Sequence, residues 1–242
     1  MARRRRFGAG LAGIGLAALL ALPPGRGAAE EPAQAPAQAP AADCGAEVAA
    51  QVQARYDGIR SLRARFTQIS RNVAFGGDSG PEAEPARGRV EFAKPGRMRF
   101  EYETPEPSLV VSDGKTLWIY DPTAREVQVL PVSEGFLSAA AIQFLLGEGR
   151  LNESFEVKAR SCTAQRAELE LRPRAEASYE RIDLGVERGT GWIRDTTVHD
   201  LLGNRTQVVF EDIETGGAPD DARFRFEVPE GVKVLTLEGE TR

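Results

Sequence analysis

From Leu62 onward the chain is built on a period of two. Leu62, Ala64 and Phe66 alternate with Arg63, Arg65 and Thr67. Val90 and Phe92 alternate with Arg89 and Glu91, and Met98, Phe100 and Tyr102 alternate with Arg97, Arg99, Glu101 and Glu103. Successive strand residues point to opposite faces, so these runs predict strands with one apolar and one charged face. Asp113-Gly114, between SLVVS and KTLWIYD, predicts a hairpin. Further runs near 126–130, 154–160, 167–173, 179–187, 192–199, 205–213 and 223–228 bring the expectation to about a dozen antiparallel strands. An outer-membrane barrel alternates too, but its lipid face is uncharged. Here Arg and Glu crowd one face, which therefore belongs in water, and the apolar face belongs inside.

Two segments depart from this period. Val48, Val52, Tyr56 and Ile59 fall on one helical face, with Asp43 as a candidate cap and Gly58 as the stop. Residues 133–147 carry a wide apolar stripe (Phe136, Ala140 and Phe144 beside Leu137, Ala141 and Leu145), ended by Gly147. A loop rich in Gly, Pro and acids, about 72–87, follows the first strand. The predicted fold is mainly β, a single curved antiparallel sheet whose apolar face is covered by α-helices.

Residues 1–29 read as a secretory signal peptide, with Arg3 to Arg6, an apolar stretch from Phe7 to Leu22, and cleavage expected after Ala29. Cys44 lies well beyond that stretch, and Ala41-Ala42-Asp43 before it makes a poor lipid-attachment site. Residues 30–42, rich in Pro, Ala and Gln, read as a flexible linker, leaving 43–242 as the folded domain. Losing the five arginines of the signal segment leaves 26 basic against 36 acidic residues, a net charge of −10. That balance opposes nucleic-acid binding. In an oxidising compartment Cys44 and Cys162 are expected to pair. Their bond would close a loop of 117 residues, worth roughly 4–5 kcal/mol in the chain-entropy model.

Catalytic and metal motifs fail one by one. One His and two Cys are too few for a zinc site built on Cys and His, so no metal is expected. Gly8-Ala9-Gly10-Leu11-Ala12-Gly13 matches a dinucleotide fingerprint by letter, but inside the signal segment. Gly114-Lys115-Thr116 lacks the glycine a phosphate-binding loop needs at Leu109, and a strand follows it. His199 sits in a strand-like run without a nucleophile elbow. Glu101 and Glu103 share their face with Arg97 and Arg99, which makes them a solvated charge ladder rather than a glycosidase pair. The expectation is a protein that is not an enzyme and holds no cofactor.

Phe66-Thr67-Gln68, Lys94-Pro95, the block VSDGKTLW from Val111 through Pro122, FLLG at Phe144 to Gly147 followed by an F-x-V strand at Phe155, and ARFRFEVPEGVKV from Ala222 to Val234 together resemble the outer-membrane lipoprotein carrier family, LolA. The resemblance implies a single open, unclosed antiparallel β-barrel of about 11 strands, with a helical lid over an apolar cavity. It implies a periplasmic carrier that takes acylated lipoproteins from an inner-membrane LolCDE-type ABC transporter. Delivery to the outer membrane would pass through a LolB-type receptor where one exists, and the carrier is expected to be a monomer. On this reading Val90, Phe92, Met98, Phe100, Tyr102, Leu109 and Val111 line the lipid-binding wall, and Ile142 and Leu145 face it from the lid. Alternation alone would read them all as packed core. Lys94 stands where family members often carry an Arg that latches the lid's backbone; a plain surface lysine is the other reading. Two further alternatives are a lipid carrier or lipoprotein sensor of the same fold, whose RseB-type form has an extra C-terminal domain not expected here, and a secreted hydrolase using its carboxylates.

Overall fold

The computed structural model describes residues 41–76, 84–132, 150–217 and 220–236. Helix α1 (Ala41–Asp57) stops before Gly58, as expected, but begins two residues ahead of Asp43, which lies in its first turn rather than at its cap. A single helical turn, α2 (Leu151–Ser154), precedes the second half of the sheet. Residues 133–149 lie outside the described residues, and with them the expected second helix, Ile142 and Leu145.

The strands are β1 (Ser61–Arg71), β2 (Ala86–Ala93), β3 (Arg97–Thr104), β4 (Ser108–Asp113), β5 (Thr116–Asp121), β6 (Glu126–Pro131), β7 (Phe155–Cys162), β8 (Arg166–Pro173), β9 (Tyr179–Glu187), β10 (Trp192–Asp200), β11 (Arg205–Thr215) and β12 (Lys233–Thr236). They form one 12-stranded sheet in the order β12-β6-β5-β4-β3-β2-β1-β11-β10-β9-β8-β7. The sheet is open, with β12 and β7 as its edges. Two meanders, β1 to β6 and β7 to β11, are joined by antiparallel pairing of β1 with β11, where Phe66 opposes Phe210 and Gln68 opposes Val208. The β4–β5 hairpin turns at Asp113-Gly114 as predicted. Gly114 has φ of +95°, and the Asp113 carboxylate accepts hydrogen bonds from the Lys115 and Thr116 amides at 2.8 Å.

Two expectations need correction. Residues 223–228 are not a strand: Asp221–Phe224 is a short 3₁₀ turn and the chain after it runs unpaired. The twelfth strand lies further on, at Lys233–Thr236, and it is parallel to β6 rather than antiparallel, with Val234 opposite Val127. Short local runs cannot reveal which edge a returning segment will join.

One face of the sheet carries Leu62, Ala64, Phe66, Val90, Phe92, Met98 and Phe100, continued in the second meander by Ala167, Leu169, Leu171, Ile182, Leu184, Val186 and Ile193; all are buried. Helix α1 contributes Cys44, Val48, Ala49, Val52 and Tyr56 to the same core. Cys44 is disulfide-bonded to Cys162 at the end of β7, with Cα atoms 6.6 Å apart. The bond fixes the start of the covering helix to an edge strand, so it both shortens the unfolded chain's freedom and holds α1 over the sheet.

The charged alternate positions occupy the opposite face. In the second meander they form a ladder in which Arg166 bonds Asp195 at 2.6 Å and Arg160 approaches both Glu170 at 3.5 Å and Asp183 at 3.2 Å. His199 belongs here, buried, with Nε2 2.8 Å from an Asp183 carboxylate oxygen.

Opening the disulfide by the double change Cys44→Ser and Cys162→Ser should cost about 2–5 kcal/mol of stability. Urea unfolding of the mature chain against the parent measures it; no loss would mean that α1 stays docked without its covalent tie.

A one-sided aromatic wall and the lysine beside it

Strand register decides which predicted wall residues share a face. Val90 opposes Phe100 and Phe92 opposes Met98 across β2 and β3. Across β3 and β4, Phe100 opposes Val110 and Met98 opposes Ser112. The inward set of β4 is therefore Ser108, Val110 and Ser112. Leu109 and Val111 pair with Glu101 and Arg99 and lie on the outer face, apart from the other predicted residues. SLVVSD has adjacent apolar residues, so its alternation admits either parity, and only pairing chooses. The inward set continues through Leu117 and Ile119 on β5 to Leu130 on β6, residues that sequence reasoning did not single out.

The wall is aromatic at its centre. Phe66 meets Phe100 and Tyr102 edge-on with ring centroids 5.2 and 5.0 Å apart, and Phe92 meets Phe100 at 5.6 Å. Gly88 makes room for them. A Cβ there would lie 3.1 Å from the Phe66 ring and 1.9 Å from the Glu101 carbonyl oxygen, so no other residue fits. Tyr102 donates its hydroxyl proton to Gln68 Oε1 at 2.9 Å, and burial pushes its pKa up to about 12. It stays a neutral donor on an apolar surface.

Beside this wall lies a small apolar cavity of about 20 Å³, lined by Tyr56, Ile59, Leu62, Phe92, Ile193 and Phe210 among others. That volume holds about one water-sized group. This cavity by itself is too small for an acyl chain.

Lys94 stands at the cavity's rim. Its ammonium donates to the Tyr56 carbonyl at 2.5 Å, and its amide to the Arg60 carbonyl at 2.9 Å. Tyr56 lies in the last turn of α1, where carbonyls lack helical partners and the helix dipole favours a cation. Lys94 thus ties the C-terminal end of α1 to the β2–β3 turn, while the disulfide ties its other end.

The outer face has a smaller core of its own, which the alternation hid. Val111, Val127 and Phe224 are buried, and Phe226 packs on Tyr120 at 5.3 Å. The segment that follows residue 220 crosses β2 to β4 like a strap. Asp221 pairs with Arg97, Arg223 reaches Glu91 at 2.5 Å and Glu101 at 3.2 Å, and Arg99 donates to the Arg223 carbonyl at 3.1 Å. Burial raises the Glu101 pKa, but its bond from Arg99 and the charges of Arg99, Arg223 and Arg89 outweigh that and hold it below the usual carboxylate range.

A family model for the outer membrane lipoprotein carrier protein LolA matches residues 57–227. An outer-membrane lipoprotein carrier protein of Dechloromonas aromatica is 32% identical over 179 residues, covering 73% of this chain and 81% of the relative. One from Alkalilimnicola ehrlichii is 33% identical over 187 residues, covering 76% and 81%. A solved LolA-superfamily protein from Nitrosomonas europaea is 12% identical, with a TM-score of 0.42 over 74% of this chain and 97% of that one.

An environment-sensitive fluorophore attached to a cysteine at position 110 should respond to an added acyl ligand, whereas one at position 111 should not. Equal responses at both positions would refute the assignment of the inward face.

Proposed function

The chain belongs to the outer membrane lipoprotein carrier family, and from that premise we propose that it binds the acyl chains of lipoproteins in the periplasm and carries them to the outer membrane. It works by sequestration and does no chemistry. Cargo enters from an inner-membrane transporter of the LolCDE type and leaves to an outer-membrane receptor or to the membrane itself. The observation that carries this reading is an aromatic wall on one face of an open sheet, beside a helix held by a disulfide near its start and by Lys94 near its end.

A carrier must hold cargo firmly yet release it. Each buried methylene contributes about 0.8 kcal/mol, so three long acyl chains sealed completely would exceed the roughly 18–21 kcal/mol at which affinities saturate. A resting state that must open before loading answers this. Loading has to part packed side chains first, and the cost of that opening is subtracted from the gain of burying the chains. The wall formed by Val90, Phe92, Met98, Phe100 and Tyr102 is the surface on which acyl chains would lie, with Met98 supplying an adaptable thioether. Lys94 sets part of the opening cost through its single bond to the Tyr56 carbonyl. It is a point donor in place of a planar guanidinium fork, and so a latch that parts readily.

Purified from the periplasm, the mature chain should carry acylated lipoprotein detectable by mass spectrometry. Free phospholipid or glycolipid instead would reassign the cargo, and turnover of a polysaccharide without bound lipid would replace the carrier by a hydrolase. Lys94→Leu should trap lipoprotein on the carrier or block its loading. If that variant loads and delivers like the parent, the latch is not at this position.

A further inference from the structure

Four of the most exposed large apolar side chains of the described residues stand together at one end of the sheet. Phe75 is 72% exposed, Val73 49%, Leu201 67% and Leu202 78%. They belong to two tips far apart in sequence, the 3₁₀ turn Val73–Phe75 that follows β1 and the β10–β11 hairpin. Pairing of β1 with β11 ends at Arg71 and Arg205 and so sets the tips side by side. The Val73 amide donates to Asn204 Oδ1 at 3.0 Å. Within each tip the polar residues turn inward to hold the backbone. Asn72 Oδ1 accepts from the Ala74 amide at 2.8 Å, and Asp200 Oδ1 accepts from the Leu202 and Asn204 amides at 2.9 and 2.8 Å. The apolar side chains are what remains to face water.

Immediately behind the tips runs a basic row. Register places Arg181 opposite His199, His199 opposite Arg205, and Arg205 opposite Arg71, across four adjacent strands. Arg205 and Arg71 stand directly opposite each other, an arrangement of like charges that disfavours a sheet, and this chain is acidic overall. Carboxylates reach into the row. Asp183 meets His199 at 2.8 Å and Arg181 at 3.4 Å, Glu180 meets Arg181 at 3.4 Å, and Glu170 lies 4.0 Å from Arg181. Asp200 is engaged in its own turn. Arg71 and Arg205 also have partners within the fold, so any outside anion would be reached by exchange.

We propose that the two tips form a membrane-contact element, in which Val73, Phe75, Leu201 and Leu202 enter the interfacial layer of a phospholipid bilayer and the arginines behind them meet headgroup phosphates. The order of groups along the axis, apolar tip first and cations next, is the order of layers in a bilayer surface entered from its acyl boundary outward. A protein partner fits less well. Four side chains fall well short of the roughly 800 Å² per partner of a standard interface. A bilayer demands no such matched shape. Contact this small is weak and reversible. Gln68, three residues before Arg71, bonds Tyr102 on the aromatic wall, so docking would bring that end of the wall to the membrane. The proposal does not rest on the carrier reading, because the tips share no residue with the wall or the latch.

Flotation of the mature chain with vesicles of phosphatidylethanolamine and phosphatidylglycerol tests it. The parent should float with the vesicles, and the double variant Leu201→Ser, Leu202→Ser should bind about tenfold more weakly, the equivalent of losing about 1.4 kcal/mol. A Trp placed by Phe75→Trp should shift its emission to the blue on vesicle addition and be quenched by brominated acyl chains. Unchanged flotation of the double variant together with an unshifted Trp would overturn the proposal. So would loss of cargo transfer in the serine variant without any change in vesicle binding, which would assign the tips to a protein partner. Cargo found on the serine variant as on the parent separates this test from that of the carrier reading.

Discussion

The ladder between β1 and β11 is the interaction on which the rest depends. Those strands lie at opposite ends of the two meanders, and their pairing converts two small sheets into one twelve-stranded surface. Neither half would bury its apolar face alone. The first meander has the aromatic wall but no described helix of its own, while α1 packs mainly on the second and is bonded to the first where Lys94 meets the Tyr56 carbonyl. The ladder makes one core of both, since Phe66 of β1 and Phe210 of β11 stand opposite one another within it. The same ladder sets the Val73 turn beside the β10–β11 hairpin.

What alternation can reveal, it revealed here. Ten of the strands after β1 were placed by their runs, and the hairpin at Asp113-Gly114 by its turn chemistry, because both signals are local. The β1 strand extends four residues past Thr67, to Arg71, because β11 continues to pair with it. Where two faces are both partly apolar, local signals lose their meaning. Val110 and Val111 are adjacent, and a one-residue change of parity exchanges inner wall for outer face. Val111 is buried all the same, beneath a strap that arrives from more than a hundred residues away. RFRFEV alternates and so reads as a strand; its Phe224 is buried in the sheet's outer core and its Arg223 is bonded to Glu91 and Glu101, so the alternation reflects packing on a sheet and not membership of one. Exposure is equally illegible. Leu201-Leu202 reads as two core residues in any hydropathy pattern, and only their place at a hairpin tip leaves them in water.

The packing beside the aromatic wall bears on how this fold can work as a carrier. Phe66, Phe92 and Phe100 are buried against one another, and the cavity beside them holds about 20 Å³. Two fastenings of α1 differ in kind. The bond between Cys44 and Cys162 is covalent and does not open on binding. The bond from Lys94 to the Tyr56 carbonyl is a single charge-assisted hydrogen bond at a partly exposed site, contributing on the order of 1–3 kcal/mol. Other bonds hold the same end: Arg55 donates to the Thr190 carbonyl at 2.7 Å, and the Tyr56 hydroxyl accepts from the Ile193 amide at 3.4 Å. That end carries Tyr56, which lines the cavity together with Phe92, Ile193 and Phe210. An opening there would break only non-covalent bonds and would widen an existing apolar gap instead of creating one. The start of the helix, beside the core around Val48 and Val52, would stay held by the disulfide.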